Sequence, residues 1–204
     1  MASNFQAASA PRRTNMVEKL ELLLFRCGGQ FFATRAQNVS SLMRGAGTAL
    51  RSDSSSQEAL PPELAAAFLG VADLNGIPVF RLDQLLETTD SSDFVGNQII
   101  LTSYNKYMVG LAVQEVFEVR TFEISKVELL PPLIEQVRRR DIAWALLRLD
   151  EPLVLDVSNN QETVIQAGEL LVIVDLSRLF YSATDQGFED WLIQVEATYS
   201  QVII

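Results

Sequence analysis

The sequence predicts an all-β protein with short helices, built in two similar halves, and three observations carry that prediction. Asn75-Gly76 lies between the apolar runs of Leu69–Leu82, and both residues accept the positive φ of a tight β-turn. Short apolar runs of strand length recur along the chain, some joined by turn residues such as Gly28-Gly29 and Tyr104-Asn105-Lys106. The order strand, turn, strand, isolated valine-led strand at Leu22–Val39 returns at Ile99–Val116, about 77 positions later. A period of that length suggests duplicated β units rather than a solenoid of short repeats.

Taken in order, residues 1–17 are rich in Ala, Ser, Asn and Arg and read as a mobile tail without the continuous apolar run of a secretory signal. Leu20–Arg26 is a strand, Gly28-Gly29 its turn, Gln30–Thr34 the returning strand and Val39–Met43 a short third. Arg44–Pro62 is rich in Gly, Ser, Asp and Pro and reads as a long loop. Glu63–Phe68 is an Ala-rich turn of helix leading into the Asn-Gly hairpin, and Leu82–Glu87 is a short apolar helix. The polar connector Thr88–Gly96 divides a first half (18–90) from a second (about 96–182).

The second half opens with strand Gln98–Thr102, the turn Tyr104-Asn105-Lys106, strand Tyr107–Val113 and a short strand Val116–Val119. Ile142–Leu149 and Glu169–Val174 are the counterparts of the Asn-Gly hairpin strands, and Asp175–Phe180 replaces the short helix. Pro152–Ala167 is an insertion at that hairpin's tip. Its apolar triplets Leu153–Leu155 and Thr163–Ile165 flank Ser158-Asn159-Asn160, so it is itself a candidate hairpin. In the tail, 183–204, Phe188, Trp191, Leu192 and Val195 fall at helical spacing behind an acidic start, which predicts a helix packed on the body.

Composition excludes several functions. The chain has 204 residues, a net charge of −10 and no histidine. It lacks the basic footprint of a nucleic-acid binder, and its longest apolar stretches are too short to insert in a membrane. Without histidine there is no His general base, His metal ligand or phosphohistidine. The single Cys27 cannot form an internal disulfide and reads as a small apolar residue at a strand end, consistent with a reducing, cytoplasmic compartment. Arg138-Arg139-Arg140 reads as a solvated loop that could still receive an acidic surface. Asp150, Glu151 and Asp156 lack the spacing of a calcium loop, and Gly28-Gly29 lacks the Lys-Ser/Thr of a phosphate loop, so neither metal nor cofactor is expected.

Four segments in order resemble the CheW-like adaptor domain of bacterial chemosensory systems. Gly70-Val71-Ala72-Asp73-Leu74-Asn75-Gly76 followed by Pro78-Val79-Phe80-Arg81-Leu82 is similar to the family's Gly-Val-Ile-Asn-Leu-Arg-Gly segment and Pro-Val strand ending in Asp-Leu. Phe25–Ala33 is similar to its opening strand and turn, Gly110–Val119 to its Gly-Leu-x-Val-Asp-x-Val segment, and Val174-Asp175-Leu176 to its closing strand-to-helix turn. The resemblance implies two SH3-like β-barrels packed together and no enzymatic activity. It further implies an adaptor linking the regulatory domain of a CheA-type histidine kinase to the cytoplasmic tip of a methyl-accepting-type receptor, in a chemotaxis, phototaxis or pilus-motility array. The chain departs from the pattern at Asn75 for Arg, Arg81 for Asp, Gln114 for Asp, and at the insertion.

The candidate partner contacts follow. Leu74, Asn75 and Gly76 form the motif's turn, with a backbone role at minimum. In the resembled fold Leu42, Met43 and Arg44 border the kinase contact; otherwise they are ordinary strand-end residues. Among Val113, Val116, Phe117 and Val119, alternation sends about half to a barrel core, and the outward members would line the groove between barrels where a receptor hairpin would lie, since helix-in-groove binding buries one apolar stripe. Two alternatives stand beside this reading. One is an adaptor that binds the kinase but no receptor, suggested by Asn75. The other is a small-barrel hydrolase using paired carboxylates among Asp83, Asp150, Asp156 and Asp175.

Overall fold

The structure, a computed structural model, describes residues 18–44, 50–51, 57–72, 76–88, 98–130, 142–156, 162–180 and 185–199. The expected tail at 1–17, most of the polar connector and the Arg138–Arg140 run lie outside them.

Strand β1 (Lys19–Cys27) reads as an unbroken apolar run because both of its faces are covered. Leu22 and Leu24 point to one core, while Leu23, Phe25 and Cys27 point to another. Gly28 and Gly29, at φ +54° and +73°, turn the chain into β2 (Gln30–Arg35). The main-chain twist of two consecutive positive-φ residues matches that of a hairpin. Gly28 also sits against Thr88: a Cβ there would lie 2.0 Å from the Thr88 hydroxyl. In the second half a connection of the same length is made by Asn105, at φ +51°, and Lys106, joining β7 (Gln98–Tyr104) to β8 (Tyr107–Val113).

The remaining strands of the first half are β3 (Ser41–Arg44), β4 (Leu50–Arg51), β5 (Phe68–Ala72) and β6 (Ile77–Arg81), with helices α1 (Pro62–Ala65) and α2 (Leu82–Leu85). The second half adds β9 (Glu115–Glu123), β10 (Val127–Leu129), β11 (Ala143–Arg148), β12 (Leu153–Asp156), β13 (Glu162–Ile165) and β14 (Leu170–Val174). Helix α3 (Asp185–Tyr199) closes the chain. Three expectations are corrected. The stretch expected as one long loop after Arg44 contains β4, which pairs with β5. Strand β9 runs to Glu123 rather than stopping at Val119, because it follows β1 along its whole length. The Asn-Gly hairpin has Ala72 opposite Ile77, so four residues separate its strands rather than a two-residue turn.

The sheets are assembled by exchange between the halves. One six-stranded sheet has the order β10-β11-β14-β2-β1-β9, and the other β3-β7-β8-β6-β5-β4. Each therefore combines the opening hairpin of one half with the later strands of the other, and a division at residues 90–96 does not separate them. The two orders are equivalent position by position, down to the single parallel contact in each, β14 with β2 and β6 with β8. The fold is mostly β, and each sheet curls like a half-barrel.

Three cores result. Leu22, Leu24, Ala145, Leu147, Leu171 and Ile173 fill the first barrel, and Ile77, Val79, Ile99, Leu101 and Ala112 fill the second. The largest core lies between them and takes Leu23, Phe25, Phe80, Ile100, Tyr104 and Val113. Helix α3 packs on this central core as the spacing predicts. Phe188 stacks on Phe180 at 4.8 Å and on Trp191 at 5.8 Å, and Trp191 meets Phe68 edge-on at 5.4 Å.

The insertion forms the expected hairpin, with Leu153 opposite Ile165 and Val154 opposite Val164. Leu153, Leu155 and Ile165 are buried in the first barrel's core, so the hairpin is part of that barrel's wall.

Candidate partner-binding surface

Two edge strands carry the most distinctive surface. On β3, Leu42 pairs with Ile100; on β9, Val119 pairs with Leu23. Ile100 and Leu23 belong to the central core, whereas Leu42 and Val119 are 48% and 52% exposed. The repeat offset that relates Leu23 to Ile100 also relates Leu42 to Val119. The apolar face of the central core thus reaches the surface at two equivalent edges, one per sheet.

The other candidates divide. Val113 and Val116 are buried in the central core and do not line a surface. Phe117 is half-buried on the opposite face of β9, against the first barrel, with its ring 5.9 Å from that of Phe31. Met43 is half-buried against the second barrel's core, and Arg44 is exposed beside it. Gly76 adopts φ +63° and donates its N–H to the Ala72 carbonyl at 3.1 Å. It also touches helix α3, since a Cβ there would lie 3.0 Å from Cβ of Tyr199. Leu74 and Asn75 lie outside the described residues.

Polar contacts that no local sequence pattern announces hold the edges in place. The Arg26 guanidinium pairs with Glu115 at 2.9 Å, Gly29 N–H donates to Gln114 Oε1 at 2.8 Å, and Val116 N–H donates to Gln98 Oε1. These contacts tie the start of β9 to the β1–β2 turn and to β7. On the opposite side Asn38, just before β3, donates to Asp175 Oδ1 at 3.1 Å and accepts from the Thr102 hydroxyl at 2.9 Å. Gln114, a departure from the family aspartate, therefore still serves as an acceptor.

The charge reversal at Arg81 has a compensation two residues on. Arg81 Nη2 and Nε donate to the two Asp83 oxygens at 2.6 and 3.1 Å, and the Asp83 carboxylate is fully buried. In the other half Asp175 stands at the corresponding strand end, and its carboxylate accepts from the Ser177 amide and hydroxyl. Beside this pair the Cys27 thiol is buried. Desolvation, reinforced by the Asp83 charge, pushes its pKa far up, so it stays protonated and inert.

The carboxylates considered for hydrolysis are each occupied where their side chains are described: Asp83 by Arg81, Asp150 by Lys126 at 3.0 Å, and Asp175 by Ser177 and Asn38. Among the described residues no group of acids or thiols is arranged to hold a metal, and no helix is long and apolar enough to cross a membrane.

Residues 21–184 match the CheW-like domain, four-fifths of the chain. The protein belongs to the CheW-like family. A solved structure, the scaffolding protein TtCheW from Thermoanaerobacter tengcongensis, superposes with a TM-score of 0.54 over 80% of this chain and 93% of its own, at 16% identity. At that identity the likeness is one of fold. No curated protein matches the chain. CheW-like domains are non-enzymatic scaffolds of chemotaxis systems, and this chain is a chemotaxis-type adaptor of that kind.

Proposed function

We propose that this CheW-like domain acts in the cytoplasm, holding the regulatory domain of a CheA-type histidine kinase and the cytoplasmic tip of a methyl-accepting-type receptor in fixed register. The observation that carries the reading is the equivalent pair of exposed apolar edges at Leu42 and Val119. A scaffold with two such edges engages two macromolecules at once, and movement of one is felt by the other. Binding to the kinase regulatory domain from the same operon, followed by calorimetry, tests it. Of Leu42→Asp and Val119→Asp, the one on the edge that the kinase domain takes should weaken that binding about tenfold or more, because it places a charge in a desolvated contact, while the other leaves it near the wild-type value. Wild-type protein that shows no heat and no co-elution with the kinase domain sinks the proposal.

A second reading, kinase binding without receptor coupling, is favoured by Asn75, which supplies neither the fork nor the charge of the family arginine. Recruitment to receptor-containing membranes separates the two. Strong recruitment of the wild type refutes the second reading, and recruitment gained only on Asn75→Arg supports it.

A further inference from the structure

The insertion and its two flanks are acidic. From Asp150 to Glu169 there are five carboxylates, two of them within Pro152–Ala167, and no Lys or Arg; Asp150 is paired with Lys126 from outside the segment. The insertion's inner face is consumed by the barrel core through Leu153, Leu155 and Ile165. Its outer face presents a directly paired Val154 and Val164, 43% and 41% exposed. Two exposed β-branched residues opposite one another form an apolar step that folding leaves unused.

The position of this step matters. Strand β12 runs beside β9, the edge strand that carries Val119. Arg120, the residue after Val119, donates from Nη2 to the Val154 carbonyl at 2.7 Å while pairing with Glu118 at 2.6 Å. The hairpin and the Val119 edge are thereby joined, and the equivalent edge at Leu42 has no inserted hairpin in its half. The two edges are equivalent in the repeat and unequal in what surrounds them.

We infer that the outer face of the β12–β13 hairpin is a docking surface for a basic partner, namely a surface of the kinase regulatory domain that presents an apolar side chain flanked by Lys or Arg. The inference rests on the adaptor reading and adds which edge the kinase takes and why. Charge complementarity selects the occupant, since an anionic face repels phosphate backbones and acidic lipid surfaces and attracts a cationic polypeptide. The apolar Val154–Val164 step supplies the short-range contact, and the carboxylates around it supply steering and orientation.

Calorimetric titration of the full chain with the kinase regulatory domain, at 50 and 300 mM NaCl, tests the inference. Val154→Ser with Val164→Ser should weaken binding about tenfold at both salts. Glu151→Lys with Glu162→Lys should weaken it about tenfold at 50 mM and much less at 300 mM, because screening removes the difference. All four side chains are exposed, so urea midpoints should be unchanged and loss of fold is separable from loss of contact. If both double variants bind as the wild type while Val119→Asp does not, the hairpin inference is overturned and the adaptor reading stands. Failure of the wild type to bind the kinase domain at either salt overturns both. Concentration-dependent dimerisation of the wild type in sedimentation, lost in Val154→Ser/Val164→Ser, gives the face to a second copy and overturns the kinase assignment.

Discussion

Removing the Arg81–Asp83 pair one partner at a time should give unequal losses, and their order is set by exposure. The carboxylate is fully buried and both of its oxygens accept from one guanidinium; the Arg81 side chain is 24% exposed. Breaking a buried pair by deleting one partner costs about 3–5 kcal/mol, chiefly because the remaining charge is left desolvated. After Asp83→Ala the guanidinium can turn towards water, which places that loss near the lower end, about 3 kcal/mol. After Arg81→Met the carboxylate has no solvent to reach, so the loss lies near the upper end, about 5 kcal/mol. Replacing both, Arg81→Met with Asp83→Leu, removes two desolvation penalties together and should cost less than either single change. Urea unfolding followed by tryptophan fluorescence measures the three, with Asp83→Ala moving the midpoint by about 1 M or more at constant m. Single losses below about 1 kcal/mol, the range of exposed pairs, would refute the reasoning. So would a double variant less stable than either single one.

Three further outcomes follow from the same coordinates. The folded Cys27 thiol keeps its proton while the unfolded thiol loses it above its ordinary value of 9.0. Protons are then bound in excess by the folded state, so stability falls as pH rises past 9, by about 1.4 kcal/mol per pH unit; comparing Cys27→Ala with wild type at pH 8 and 10 isolates this slope. Phe188→Ala removes a fully buried ring stacked between Phe180 and Trp191 and should cost about 3–5 kcal/mol, together with the near-ultraviolet dichroism of the cluster. Gly28→Ala forces a Cβ to 2.0 Å from the Thr88 hydroxyl at a positive φ and should destabilise by about 2 kcal/mol or more; partial recovery on adding Thr88→Gly, seen in thermal melts, would show that the collision is the cause.

Much of this architecture is legible in the residues, and the parts that are not share a reason. Strand-length apolar runs, the Gly28-Gly29 and Asn105-Lys106 turns and the helical spacing of Phe188, Trp191, Leu192 and Val195 are local signals that become the elements they announce, whereas Asn75-Gly76 closes a four-residue connection rather than a tight turn. Pairing partners are not local. A period of two states which face is buried but not which strand lies alongside, so nothing in Glu115–Glu123 announces that it follows β1 rather than its own half. Strand β4 is two residues inside a Gly- and Ser-rich stretch, too short for any periodicity. Among the partner candidates, strict alternation would put Phe117 with Val119 and Val116 opposite them; the register shift between Leu23 and Phe25 instead sets Val116 and Val119 beside Phe25 and Leu23 and leaves Phe117 on the other face, which no sequence period announces. Asp83 shows the complementary case. By residue type it is a candidate for a reactive carboxylate pair, and the charge reversal two residues before it, at Arg81, is what occupies it.

The exchange of hairpins bears directly on how an adaptor of this shape can transmit a signal. Among the described residues β3 forms a strand ladder with β7 alone and β9 with β1 alone, so each exposed edge is carried by the hairpin of the opposite half. Those hairpins also line the central core, where Leu23 and Ile100 back Val119 and Leu42. Sliding one edge relative to the other would have to break antiparallel ladders and shear a close-packed core at once, and such cores resist continuous deformation. Among the described residues the two edges are therefore coupled through their ladders and the shared core, which resist displacement of one relative to the other. Specificity is then free to differ between the edges, and the proposed docking of a basic partner on a hairpin joined to one edge alone would be one way to make it differ.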